Sequence, residues 1–213
     1  MKYDCCIWDF NGTLLDDVMT GIDSVNTLLC ERGLAQIEGV EHYRRIFRFP
    51  IIEYYRSLGF DFDSEPYEVL APKWVALYLE HVKHAGLFCD VIDVLERLRA
   101  QRMPQFVLSA TELSMLEGQL SSLGIREYFE GVMGLDNIHA GSKLSLARAW
   151  REKYPDAKAV LIGDTDHDAQ TAIELAADCI LVCRGHQSRE HLLTTGAVVV
   201  DDLFEAYKLL KSK

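Results

Sequence analysis

The sequence lacks the cysteine pairs, apolar runs and positive charge that mark several broad classes. Its six cysteines, Cys5, Cys6, Cys30, Cys89, Cys179 and Cys183, contain no C-x-x-C pair. Zinc sites commonly use that spacing, so none is expected. Four of the six lie in apolar, strand-like runs, where reduced thiols behave as small hydrophobes. No apolar stretch approaches the roughly 18 residues of a membrane span. Met1 to Asp9 is a short apolar run that meets an acid at once, whereas a signal peptide has a longer run and a small-residue cleavage site. A cytoplasmic protein is expected. Lys plus Arg number 22 against 33 Asp plus Glu, a net charge of −11. That balance argues against nucleic-acid partners, which are held by many Lys and Arg contacts to phosphate. It also argues against an anionic membrane surface. A small phosphorylated molecule needs only a few local cations and stays open as a substrate.

What is present is an ordinary globular composition, 49% apolar and 26% charged over 213 residues. That length buries a core without disulfide or metal staples. Tyr3 to Trp8, Gln105 to Leu108, Gly131 to Gly134, Ala159 to Ile162, Cys179 to Val182 and Ala197 to Val200 read as strands. They are brief, apolar throughout and bounded by Asp, Gly, Ser or Pro. Such runs fit a parallel sheet covered on both faces. Val91 to Gln101, Glu112 to Leu123, Lys143 to Lys153, Asp168 to Ala176 and Leu203 to Lys211 read as the helices between them. The alternation predicts an α/β fold, a Rossmann-like doubly wound parallel sheet. Between Trp8 and Gln105 the pattern breaks into helices: Val18 to Arg32, Val40 to Arg48, Ile51 to Leu58 and Glu65 to His84. Pro50 suits a first helical position, and Gly33 and Gly59 suit helix stops. The expected organisation is a core of residues 1–16 and 87–213 with an inserted α-helical cap at 17–86.

Two motifs carry chemistry. In Asp9-Phe10-Asn11-Gly12-Thr13-Leu14-Leu15-Asp16 an apolar strand delivers Asp9 at its C-terminal end, the edge where open α/β sheets bind ligands. A carboxylate there serves as a nucleophile toward phosphorus or as a hard-metal ligand. In Gly163-Asp164-Thr165-Asp166-His167-Asp168 a second strand ends in Gly-Asp before a helix. Asp164 and Asp168 frame a loop whose oxygen donors favour magnesium or calcium over zinc. Two smaller signals accompany them. Ser109 ends a strand, where its hydroxyl and the following N–H groups suit a phosphate oxygen. Lys143 opens a helix, where its ammonium suits phosphate and Asp9 together.

These residues, in this order, resemble the haloacid dehalogenase (HAD) superfamily over the whole chain. Leu108-Ser109-Ala110 and the stretch Gly134 to Lys143 look most like its phosphoglycolate-phosphatase-like branch, and the helical insertion matches a type 1 cap. The resemblance implies a phosphatase that forms aspartyl-phosphate on Asp9. It implies Mg²⁺ between Asp9, the Asn11 carbonyl and Asp164, with Asp168 helping directly or through water. Thr13, Ser109 and the Ala110 backbone would take phosphate oxygens, and Lys143 would stabilise their charge. The partner is a small phosphorylated substrate, with the chain a monomer or homodimer.

Asn11 departs from that pattern. Phosphatases of the superfamily carry Asp there, to protonate the leaving group and then activate water. A carboxamide exchanges no proton near neutral pH. Four readings stay open: a catalytically impaired phosphate-binding or regulatory protein, a phosphatase with another acid or with easily departing groups such as acyl phosphates, phosphonate or phosphoryl-transfer chemistry, and an introduced Asn. Lys73 and Lys83 sit in no motif that favours phosphonate chemistry. Asp16, Asp17 and Asp166 read as caps or solvated acids, and His167 as a supporting or surface residue. His42, His81, His84, His139, His186 and His191 show no ligand spacing. The cluster Tyr43-Arg44-Arg45-Ile46-Phe47-Arg48-Phe49-Pro50 reads either as a cap element that binds a substrate anion or as a solvated basic face. Tyr54, Tyr55, Trp74 and Tyr78 read as core between helices.

Overall fold

The computed structural model describes residues 1–135 and 143–211. Residues 136–142, most of the stretch that carries the branch resemblance, lie outside the described residues, as does His139. In chain order the elements are β1 (Cys5–Trp8), β2 (Leu15–Asp16), α1 (Val18–Glu31), α2 (Val40–Ile46), α3 (Ile51–Ser57), α4 (Tyr67–His81), β3 (Gly86–Leu87), α5 (Val91–Ala100) and β4 (Gln105–Glu112). There follow α6 (Leu113–Ser122), β5 (Gly131–Leu135), α7 (Lys143–Lys153), β6 (Ala159–Gly163), α8 (Asp166–Glu174), β7 (Asp178–Val182), α9 (Arg189–Leu193), β8 (Val198–Val200) and α10 (Leu203–Lys211).

Six strands form one parallel sheet in the order β5-β4-β1-β6-β7-β8. β1 is central, and the chain moves outward first on one side and then on the other. The crevice beyond the C-terminal ends of β4, β1 and β6 is therefore the switch point where such sheets bind ligands. The expected doubly wound α/β sheet is present. Its strands are apolar throughout because both faces are covered. Cys6 and Trp8 pack with Val91, Leu95, Leu116 and Leu203 on one face. Cys5 and Ile7 pack with Ala147, Trp150 and Ala172 on the other. The alternation is the period-two consequence of the pleat. Each fully buried aliphatic side chain contributes about 1.5–3 kcal/mol. All six cysteines are free.

Helices α1 to α4 bury an apolar cluster of their own, with Ile22, Val25, Leu29, Tyr43, Tyr54, Tyr55 and Leu70 inside. Their bounds are tighter than the periodicity suggests. Pro50 is the N-cap of α3 rather than its first residue, and Pro66 caps α4. β4 runs to Glu112, four residues past the expected end. Three elements were not expected. α9 has five residues, too few for a period to show. β2 and β3 are two residues each and pair antiparallel, Leu15 with Leu87 and Asp16 with Gly86. That pairing brings the entrance and exit of the helical segment side by side. Among the described residues, no helix is long and apolar enough to cross a membrane.

Candidate active site

The sheet edge gathers the residues that the two motifs singled out. Asp9 follows the last residue of β1, and Asp164 follows the last residue of β6. Carboxylate oxygens of Asp9, Asp164 and Asp168 lie within 4.8 Å of one another, and all three residues are buried. Lys143, 3% exposed, begins α7 and donates from Nζ to both Asp9 Oδ1 and Asp168 Oδ1. Thr13 Oγ1 donates toward Asp9 Oδ2 at 3.3 Å and Asp164 Oδ1 at 3.1 Å. The other oxygen of Asp168 accepts from the Asp164 and Thr165 N–H groups at 3.0 and 2.9 Å. Thr165 is the N-cap of α8 and Asp168 its third residue, so one side chain closes the capping box and ties down Lys143. Ser109 is buried in β4 and bonds Thr111, while Ala110 is exposed; both border the cavity above Asp9.

Close backbone approach dictates glycine around Asp164. Gly12 has φ +70°, in the left-handed region, and a Cβ there would lie 2.3 Å from Asp164 Oδ2. A Cβ on Gly185 would lie 2.1 Å from the same oxygen. His186 N–H donates to Asp164 Oδ2 at 2.6 Å. The loop after β7 thus joins the site, a contribution that sequence reasoning missed. The signal available was a glycine at the end of the strand beside β6.

Asp17 is the second missed residue. It occupies the N-cap position of α1 but does not cap that helix with its side chain. It is 1% exposed rather than solvated. Its Oδ1 accepts from Gly12 N–H at 2.8 Å and faces His186 Nε2 at 3.3 Å. Its Oδ2 accepts from Asn11 Nδ2 at 2.8 Å and from the Tyr78 hydroxyl at 2.6 Å. Asn11 Nδ2 also donates to Tyr78, and Asn11 Oδ1 accepts from Thr111 Oγ1 at 2.9 Å. The carboxamide is held on every side.

Charge follows from this packing. Burial, aided by the Asp168 and Asp164 charges, holds the Asp9 carboxyl well above its ordinary range against the pull of Lys143. Burial also raises Asp164, to about 6. At Asp168 burial is outweighed by Lys143, and its pKa falls. Burial opposes a charge on His186, but Asp17 and Asp164 outweigh it and raise the imidazole to about 9. Asp17 is correspondingly lowered, His186 outweighing its burial. With all four acids ionised, Asp9, Asp17, Asp164 and Asp168 would face two cations, Lys143 and His186, two positive charges short of balance.

A cavity of about 380 Å³ opens above Asp9 and Lys143. Tyr54, Tyr55, Trp74 and Tyr78 belong to the helical core as expected, but they also line this cavity, with Phe47 and Phe49. His167 lines it too, its ring stacked on Phe49 at 4.8 Å. The arginine cluster is directed elsewhere. Arg44 donates to the Gly185 carbonyl at 2.8 Å and to the Arg184 carbonyl, clasping α2 to the loop after β7. Arg45 and Arg48 are exposed.

The fold and sequence have known counterparts. A haloacid dehalogenase-like hydrolase from Streptococcus pneumoniae superposes with a TM-score of 0.78 at 21% identity, covering 99% of both chains. Protein tyrosine kinase A of Mycobacterium tuberculosis superposes at 0.81, with 21% identity and 99% of both chains. At such identities the likeness concerns the fold, which hosts more than one chemistry. Phosphoglycolate phosphatase of Rhodobacter capsulatus is 24% identical over 186 residues, 85% of this chain and 84% of its own. Phosphoglycolate phosphatase of Synechococcus elongatus is 24% identical over 195 residues, 88% and 87%. The family of haloacid dehalogenase-like hydrolases matches residues 6–182, a span that contains every residue of the acidic cluster and Lys143. The chain belongs to that family.

Proposed function

We propose that the protein is a magnesium-dependent phosphatase that hydrolyses a small phosphorylated molecule through an aspartyl-phosphate on Asp9, with residues 17–86 acting as a cap. The observation that carries this reading is the convergence of Asp9, Thr13, Lys143, Asp164 and Asp168 in one bonded cluster at the sheet's switch point. The 24% identical phosphoglycolate phosphatases support the reaction class.

The residues present fit a hard divalent cation. Their donors are buried carboxylate oxygens of Asp9, Asp164 and Asp168 within 4.8 Å of one another, which only added positive charge would keep ionised together. Asp9, the Asn11 carbonyl and Asp164 would hold it, with Asp168 in support. When bound, magnesium supplies the charge that keeps the buried acids ionised and neutralises phosphoryl oxygens.

Asp9 attacks phosphorus in line, and the bond from phosphorus to the leaving oxygen breaks, its electron pair departing with that oxygen. Lys143 balances the negative charge of nucleophile and phosphate. Thr13, Ser109 and the Ala110 N–H are donors for phosphoryl oxygens. Positioning and fixed charge are the protein's main contributions to such a transfer. Water then attacks phosphorus, releasing phosphate and restoring Asp9. Asn11 neither protonates the leaving oxygen in the first half nor takes the proton of the attacking water in the second, which forgoes about 10²–10⁴-fold in rate, roughly 3–5 kcal/mol of barrier.

The test is phosphate release from p-nitrophenyl phosphate and acetyl phosphate, with magnesium and with chelator. Magnesium-dependent turnover that disappears in Asp9→Asn supports the reading; no release from either substrate rejects it. The locked carboxamide of Asn11 favours a second reading, a phosphate-binding protein without turnover. That reading expects binding of phosphate, no turnover, and turnover appearing in Asn11→Asp.

A further inference from the structure

We propose that the molecule processed here is an aryl phosphate, a phosphoester whose leaving group is an uncharged aromatic ring. This rests on the phosphatase reading and names its substrate class.

Three independent observations carry it. The first is the wall. Phe47, Phe49, Tyr54, Tyr55, Trp74 and Tyr78 line the cavity above Asp9. Tyr78 bonds Asn11, and the Trp74 ring stacks on Tyr78 with centroids 5.0 Å apart and an interplanar angle of 21°. Both rings border the cavity above Asp9, where the ring of a bound ester would extend the stack. Aromatic rings favour such offset contacts. A cavity of about 150 Å³ holds a benzene, so about 380 Å³ holds a ring beside a phosphate.

The second is charge. Among the described lining residues the basic groups are Lys143, His186 and His167. Lys143 is bonded by Asp9 and Asp168, and His186 by Asp17. His167 stacks its ring on Phe49 at the cavity edge. Lys143 and His186 are thus committed to acids of the protein and are not spare for a carboxylate on the leaving group. The Tyr54 hydroxyl is buried and has no hydrogen-bond partner among the described residues, which suits a neutral polar atom on a ring.

The third is Asn11. With no acid at that position the leaving oxygen departs as an anion. A phenol, with pKa about 10, tolerates that far better than an aliphatic alcohol, whose pKa is close to the 15.7 of water. The wall and the missing acid point to the same chemistry.

Aryl esters are intrinsically more reactive, so recognition is measured with compounds that do not react. Phenylphosphonate and methylphosphonate are titrated calorimetrically into the magnesium-loaded protein. The expected result is binding of phenylphosphonate at least tenfold tighter. In Trp74→Leu, which keeps apolar volume without the indole ring, that ratio is expected to fall at least threefold. A ratio below tenfold, or one unchanged in Trp74→Leu, overturns the proposal. In turnover, kcat/KM for phenyl phosphate is expected to exceed that for 2-phosphoglycolate and glycerol 3-phosphate at least tenfold, and Asn11→Asp to narrow the gap. Equal or better use of either alkyl ester overturns it. If neither these esters nor acetyl phosphate are hydrolysed, the phosphatase reading has failed, and the phosphonate ratio still decides what the wall selects.

Discussion

The floor and the wall of the cavity are built by different rules. The floor comes from strand ends: Asp9 after β1, Ser109 in β4, Asp164 after β6. Its side chains are buried and polar: Asp9 and Asp164 share the Thr13 hydroxyl, and Ser109 bonds Thr111. The wall comes from helices α3 and α4 and the connection between α2 and α3, and its aromatics Phe47, Tyr54, Tyr55 and Trp74 also belong to the helical core. On the floor a change of one atom type removes a step of chemistry. On the wall a ring is exchanged for another apolar group at the cost of fit. Under the proposed function, the difference assigns reaction class to residue types at fixed backbone positions and substrate choice to the shape of a packed surface.

That division is open to breakage, most sharply at the nucleophile. Asp9→Asn is expected to lower magnesium-dependent phosphate release by about 10⁴-fold or more, since groups acting as a unit fail together. A milder loss assigns attack to another group. Asn11→Asp acts in the opposite direction. It sets a carboxyl against Asp17, where two like charges raise one pKa and leave a proton to donate. Turnover of alkyl esters is expected to rise about 10²–10⁴-fold; an unchanged rate means that the acid is supplied elsewhere. Asp17→Ala tests whether floor and helices are joined through one buried ion pair. Leaving His186 without its partner is expected to cost about 3–5 kcal/mol, read by urea unfolding.

The same pair gives a pH dependence. The folded pKa of His186 is raised from 6.5 to about 9, so its contribution is fully present below pH 6.5 and is lost as pH climbs through 9. Asp17, lowered in the fold, contributes above its ordinary pKa and is lost only in acid. The melting temperature in chelator is expected to fall by a few degrees between pH 6.5 and 9.5, and to do so much less in His186→Gln. A flat profile in the unaltered protein removes the ion pair from the account. The smallest effect belongs to the basic cluster. Arg45→Ala, on an exposed side chain, is expected to change stability by no more than about 0.5 kcal/mol and to leave phosphonate binding unchanged. A loss of affinity there returns the arginines to the cavity.

The sheet was legible because its strands are covered on both faces, so plain apolarity marks them. Asp9 and Asp164 were legible because strand, acid and glycine stand in one motif. Asp17 was not, since an acid before a helix reads as a cap, and only tertiary packing turns it inward. His186 lies in a loop with no periodic pattern, brought to Asp164 by the pairing of β6 with β7. Tyr54 and Trp74 read as core because they are core. Nothing in their spacing says that one edge of that core faces the acids. Arg44 looked available for an anion, whereas backbone carbonyls of a distant loop occupy it.

The paired strands β2 and β3 have a consequence for how such a chain diversifies. Residues 15–16 and 86–87 cross between sheet and helices as hydrogen-bonded neighbours. Everything between them is a detour that begins and ends at one place. Changes within it need not separate the ends of β1 and α5, provided that the contacts of Asp17 and Tyr78 with Asn11 and Gly12 are kept. A recombination event there would graft a new wall over an old floor without renegotiating the register of a single strand.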